Sequence, residues 1–275
     1  MRVLVVGSTG VIGRRLAPLL EAVGHEVSCL ARPPASAVAV TKAAPDAVVN
    51  LLTATQRFHT EGTRTLYEAA QRACATRVLA QSLAYAYQPG TGLADEDAPL
   101  WTDRTPKRFA RPSCAPSSSS NASPPRPADS SCGTAISTDP DPLRAGRVLR
   151  RPRPRPQGPL LGGGHSTLSF THADDAATAV VAALDKDVTG ALNVVDDTPV
   201  TMGEFLPEYA ALLDAPAPKH VPAILARHTR GSWNATFMNG LRGADNGRAR
   251  RRLDWRPRHP SWRTGIQRPS LRAGQ

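Results

Sequence analysis

The chain has 275 residues, a formal net charge of +11 and 40% hydrophobic residues, enough to build one large α/β domain. No stretch of about 18 uncharged apolar residues occurs, so neither a membrane span nor a membrane partner is expected. The charge is also too uneven to mark a nucleic-acid binder: residues 102–159 carry +7 and residues 227–275 carry +10, while the remainder is acidic at −6.

Arg2 to Val6 opens the chain as an uncharged β-branched and apolar run after its first residue, as suits a strand buried on both faces. Gly7, Gly10 and Gly13 follow at G-x-x-G-x-x-G spacing and lead into a helical pattern over Val11 to Val23, with Pro18 expected to kink it. Glycines in that order permit a tight turn, close backbone approach to a pyrophosphate and close packing of helix on strand, while the first helical amides point at the phosphates. The ligand implied is a dinucleotide, held by Gly7, Ser8, Thr9, Gly10, Val11, Ile12 and Gly13. A second strand is expected at Glu26 to Leu30. Arg32 stands 19 residues after Gly13, where a dinucleotide site meets the adenosine ribose. An arginine there can pair with a 2′-phosphate, which favours NADP over NAD, an ordinary solvated arginine being the alternative.

Only 13 residues separate Arg32 from Asp46, too few for a crossover helix, a third strand and a further helix. Either Ala35 to Ala44 forms one short helix or Ala37 to Thr41 forms a lone strand, so the Rossmann unit is abbreviated after its second strand. Ala47 to Leu52 reads as the next buried strand, Thr60 to Cys74 as a helix, and Arg77 to Gln81 as a strand with Ser82 just beyond its carboxyl end. Ligands of open α/β sheets bind outside such ends, which makes Ser82 the candidate catalytic hydroxyl, with strand capping as the structural alternative.

Three stretches together resemble the extended short-chain dehydrogenases, the NAD-dependent epimerase/dehydratase family: Gly-Ser-Thr-Gly-Val-Ile-Gly-Arg-Arg-Leu at 7–16, Pro-Asp-Ala-Val-Val-Asn-Leu-Leu-Thr-Ala at 45–54 and Ser-Phe-Thr-His-Ala-Asp-Asp-Ala-Ala at 169–177. The resemblance implies a doubly wound parallel sheet of Rossmann type and adds Leu51, Leu52 and Thr53 beside the cofactor. It also implies a catalytic serine where Ser82 stands, and an oxidoreductase or epimerase acting on a small carbonyl or sugar-nucleotide substrate. The family's hydride chemistry also uses a Tyr with a Lys four residues later, and here the four tyrosines Tyr67, Tyr85, Tyr87 and Tyr209 are followed at that distance by Gln71, Pro89, Thr91 and Leu213. An unassisted phenol has a pKa near 10 and is a poor base at neutral pH. Turnover is therefore expected to be impaired, the alternative being a cofactor-binding or regulatory protein without chemistry.

The organisation expected is a dinucleotide-binding half at 1–101, an irregular segment at 102–159 and the rest of the fold with a small C-terminal α/β substrate portion at 160–275. The middle segment holds 12 of the 26 prolines and nine serines. Proline at that density opposes helix and interior strand. It falls where the family places the Tyr/Lys helix; a compensated frameshift and a true insertion both account for its Arg/Pro/Ser/Gly composition. Beyond it, Leu168 to Thr171 reads as a strand, Asp174 as an N-cap, Asp175 to Leu184 as a helix, Gly190 to Val195 as a strand, and Thr201 to Glu204 as a capping box. His165 and His172 have no third ligand at helical spacing and read as turn and strand-end residues, so no metal is expected. Cys29, Cys74, Cys114 and Cys132 share no metal or C-x-x-C spacing, which suits reduced thiols and a cytoplasmic location. The partner expected is a small molecule, with a homodimer left open.

Overall fold

The computed structural model describes residues 1–30, 37–52, 63–83, 87–100, 129–134, 136–137, 160–222 and 232–266. Five parallel pairings build a six-stranded sheet from β1 (Arg2–Val6), β2 (Glu26–Leu30), β3 (Ala47–Asn50), β4 (Arg77–Leu83), β5 (Asp129–Thr134) and the later strand Gly190–Val194. In space the order runs β2, β1, β3, β4, β5 and then Gly190–Val194. The reversal of direction at β1 and β3 is the topological switch point of a doubly wound fold, where ligands bind.

Helices cover both faces of this sheet. The residues of β1 and β3 are buried almost throughout, as a strand packed on both sides requires. Val3, Val5, Val49 and Leu79 face α1 (Gly13–Ala22) and a helix at Ala173–Asp185. Leu4, Val6, Val48 and Val78 face α2 (Ala37–Ala43) and α3 (Thr63–Arg72). The short helix α2 resolves the choice over the abbreviated stretch: Ala37–Ala43 is helical, and among the described residues no strand lies between β2 and β3. Consequently β2 pairs with β1 alone among the described strands, and its Glu26, Ser28 and Cys29 are exposed.

Several local expectations are corrected. Helix α1 starts at Gly13 and runs through Pro18. Strand β4 extends to Leu83, so Ser82 lies inside it, opposite Gly133, rather than beyond its end. The segment 102–159 is not wholly irregular: Asp129–Thr134 supplies β5, and Ile136–Ser137 forms β6, a short strand paired with Phe170–Thr171. The sheet has a slot between β4 and Gly190–Val194, and backbone pairing fills it despite weak local strand propensity. Its remaining residues, like Arg32, Thr53 and Tyr85, lie outside the described residues.

In the second half, β7 (Leu160–Leu161), β8 (Thr167–Leu168) and β9 (Phe170–Thr171) replace the single strand expected near Leu168. Helix α4 (Ala173–Asp185) is capped by His172, whose side chain accepts from the Asp174 amide, and not by Asp174 itself. After β10 (Gly190–Val194) and β11 (Val200–Thr201), helix α5 (Met202–Leu212) begins with the capping box of Thr201 and Glu204. A separate core of Leu160, Phe170, Met202, Leu206, Leu241 and Trp262 consolidates this lobe, with Phe205 edge-on to Trp262 at 4.9 Å. Among the described residues no helix is long and apolar enough to cross a membrane.

Candidate active site

The glycine turn at the end of β1 is held by backbone bonds: the Gly7 amide donates to Leu30 O at 2.8 Å and the Gly10 amide to Gly7 O at 3.0 Å. Gly7 has φ +90°, a conformation side chains rarely adopt. At Gly13 the constraint is space: a Cβ there would lie 2.4 Å from Gly7 O and 2.6 Å from Ser8 Cα. The helix therefore enters against bare backbone. No side chain caps the start of α1, and no acidic residue occupies its first turn. Its positive end is thus open to an anion, whereas α4 and α5 satisfy theirs with His172 and Thr201. These features fit a pyrophosphate.

Leu51 and Leu52 flank the turn. The Leu51 amide donates to Val6 O at 2.9 Å and the Leu52 amide to Asn50 Oδ1 at 3.1 Å, and a Cβ on Gly7 would stand 3.3 Å from both leucines. A small apolar cleft is lined by Ile12, Val49, Leu51, Leu79, Ala80, Gln81, Ala176 and Val180. Two residues predicted at the cofactor, Ile12 and Leu51, thus share one cleft with Gln81, the neighbour of Ser82. Ser82 is half-buried near the end of β4.

Tyr87 is buried elsewhere, its hydroxyl donating to Asn193 Oδ1 at 2.8 Å. Burial pushes its phenol up to about 12, so it cannot replace the absent Tyr/Lys base. Glu96, whose carboxyl is also pushed up by burial, accepts from the Asn193 amide at 2.7 Å and pairs with Arg248 at 3.2 Å. Asp196 is 4% exposed and accepts amides of Phe170 at 3.0 Å and Trp262 at 3.1 Å. Desolvation raises its carboxyl to about 7. The partners of these groups are protein atoms.

One cluster escaped sequence reasoning. His172, Asp174 and His259 each present a ligand atom within 4.8 Å of the others, although His259 is remote in the chain. The imidazoles stack at 3.7 Å with 28° between planes, so their in-plane lone pairs run side by side instead of converging. Asp175, 1% exposed, braces His259 through Nδ1 at 3.1 Å and accepts the Arg258 and His259 amides at 2.8 and 3.0 Å. Asp174 is engaged by Arg15. The arrangement suits a packed ion-pair network better than a tetrahedral metal centre.

Strand order, switch point and glycine turn define a Rossmann-type protein of the nucleotide-binding class. No protein-family model matches the chain. It is 39% identical to the 3-diazoavenalumate denitrifying reductase of a Streptomyces species, in an alignment over 308 residues that covers 98% of this chain and 100% of the reductase. That span exceeds the 275 residues of the chain, so the reductase has stretches that this chain lacks. In fold it is similar to human epimerase family protein SDR39U1 solved with NADPH (TM-score 0.63, 22% identity, 99% of each chain). It is likewise similar to UDP-glucose-4-epimerase from Stenotrophomonas maltophila with bound NAD (TM-score 0.69, 17% identity, 99% of this chain and 97% of that one). The chain belongs to the extended short-chain dehydrogenase/reductase family, among the NAD-dependent epimerase/dehydratase proteins, a family of oxidoreductases.

Proposed function

We propose that this protein is an NADP(H)-dependent reductase of a small diazo-substituted organic acid. The observation that carries the reading is 39% identity, over 98% of the chain, with a 3-diazoavenalumate denitrifying reductase, in a chain that keeps the glycine turn but has no Tyr-x-x-x-Lys pair. Gly7, Ser8, Thr9, Gly10, Val11, Ile12 and Gly13 would hold the pyrophosphate, Leu51, Leu52 and Thr53 the adjoining face, and Arg32 the 2′-phosphate, with NAD as the weaker ligand. Residues 1–101 would supply the cofactor side and residues 160–275 most of the substrate side. The bound nicotinamide supplies a hydride.

The proton balance favours this substrate class over a carbonyl. Reducing a ketone consumes a hydride and a proton, and the family's Tyr/Lys pair exists to handle that proton. Loss of dinitrogen from a diazonium consumes a hydride alone: R–N₂⁺ + H⁻ gives R–H + N₂, with charge and atoms closed. An enzyme for that reaction has no need of a tuned tyrosine. The role left for the chain is to bind and orient, with Ser82 beside the reacting group and the apolar cleft excluding water.

The test is NADPH oxidation with an aromatic diazo acid, read together with dinitrogen release. Equal amounts of NADP and dinitrogen are expected, and the absence of NADPH binding would refute the reading. The absent pair also favours a second reading, a cofactor-binding protein without turnover. Binding of NADPH without dinitrogen release from any diazo acid would select it. Arg32→Asp should reverse the preference for NADP over NAD, and an unchanged preference would remove Arg32 from the site.

A further inference from the structure

Arg15 occupies an unusual position in the first turn of α1. Its backbone amide donates to Ile12 O at 3.0 Å, and its side chain reaches back to take the Val11 carbonyl, Nη1 to O, at 2.9 Å. The same guanidinium donates from Nε to Asp174 Oδ1 at 2.5 Å, across 159 residues of sequence. Asp174 is fixed in turn: it lies in the first turn of α4, and its amide donates to His172 Nδ1 at 3.3 Å. His172 stacks on His259, which Asp175 braces.

The Val11 carbonyl and the Ile12 N–H belong to one peptide unit, and that unit is planar. A guanidinium that fixes the carbonyl therefore fixes the direction of the Ile12 amide, one of the donors at the open end of α1. We propose that Arg15 and Asp174 form a clamp that aims the Ile12 amide at the cofactor pyrophosphate, making Arg15 a positioning residue. The proposal rests on the cofactor reading above. The fork matters more than the charge: two donors held apart in one rigid plane serve a carbonyl and a carboxylate together, a spacing that the compact ammonium of a lysine does not reproduce. A half-exposed ion pair by itself adds little stability, so the effect belongs in ligand affinity more than in folding.

The experiment is a fluorescence titration with NADPH of the wild type, Arg15→Ala, Arg15→Lys, Asp174→Asn and the double variant Arg15→Ala/Asp174→Asn, each with its thermal midpoint. Charge-assisted hydrogen bonds of this kind correspond to about a tenfold or greater loss of affinity in Arg15→Ala. Arg15→Lys should remain several-fold weak, and the double variant should be no weaker than Arg15→Ala, because both substitutions break one device. Affinity within twofold of wild type in Arg15→Ala, full rescue by lysine, or additive losses would each overturn the clamp. A wild type that binds no NADPH would overturn the cofactor reading instead. The clamp then answers to hydrogen exchange in the free protein, where residues 10–16 should exchange faster in Arg15→Ala, and unchanged exchange would reject it.

Discussion

Replacing Gly13 by alanine is the sharpest test of the glycine turn. The added carbon would sit 2.4 Å from Gly7 O, 2.6 Å from Ser8 Cα and 2.8 Å from Ser8 C, all backbone atoms. Ordinary carbon contacts lie near 3.5–4.0 Å, so α1 and the turn must separate by about 1 Å. Overpacking of that kind costs about 1–3 kcal/mol, partly offset by the roughly 1 kcal/mol by which alanine improves on glycine in a helix. The thermal midpoint should fall by only a few degrees, since each 1 kcal/mol moves it by about 2–4 °C in a chain approaching this size. NADPH affinity should fall much further, because the first amides of α1 move with the helix. Gly10→Ala, whose Cβ would meet only Gly7 O at 3.1 Å, should cost less on both counts. Calorimetric titration and a melting curve on the same preparations decide the matter. A Gly13→Ala protein with wild-type midpoint and affinity would show that the close approach does not govern the site.

Other outcomes follow from the buried groups and the sequence. Asp196, with its carboxyl raised to about 7 by burial, holds a proton in the folded chain that an unfolded aspartate releases near 4, so its contribution is complete below pH 4 and lost as pH rises through 7. Wild-type stability should therefore decline between about pH 4 and 7 more steeply than that of Asp196→Asn, and equal slopes in chemical denaturation would count against the buried proton. Tyr87→Phe should lower stability by about 1–2 kcal/mol through the orphaned Asn193 Oδ1, while leaving NADPH affinity untouched. A large loss of affinity would return Tyr87 to the site. Ser82→Ala should slow dinitrogen release with little change in cofactor binding; an unaltered rate would leave Ser82 a structural residue. Reading the coding DNA of residues 102–159 in its other frames should reveal an apolar-periodic segment alignable with the Streptomyces reductase, and its absence would establish a true insertion.

What the sequence disclosed was local. β1, the glycine turn and the capping box of α5 are written in contiguous residues, where hydrophobic pattern and turn chemistry coincide. Even the shortened connection to β3 was countable, because 13 residues cannot hold three elements. What it concealed was set by partners far along the chain. Nothing near Arg15 announces Asp174, and His172 meets His259 only because Asp175 gathers the Arg258 and His259 amides. β5 was hidden for a different reason: Asp-Ser-Ser-Cys-Gly-Thr has little preference for a strand, and neighbouring strands supply the pairing. The extent of β4 to Leu83 was missed because Ser82 looks like a boundary and the register with β5 cannot be seen in advance.

The abbreviated first half has a consequence for the protein as a material. Where the complete fold would seat another strand, β2 presents a row of backbone donors and acceptors that no described strand pairs, beside the exposed thiol of Cys29. Open edges of this kind template pairing between molecules, and a thiol on the edge can lock such a pair covalently once oxidised. Glu26 is the charged residue of this strand, placed at its first position and so guarding one end of the row. Among the described strands, β2 is therefore where oxidation in air and crowding at high concentration act together on the colloidal behaviour of the protein.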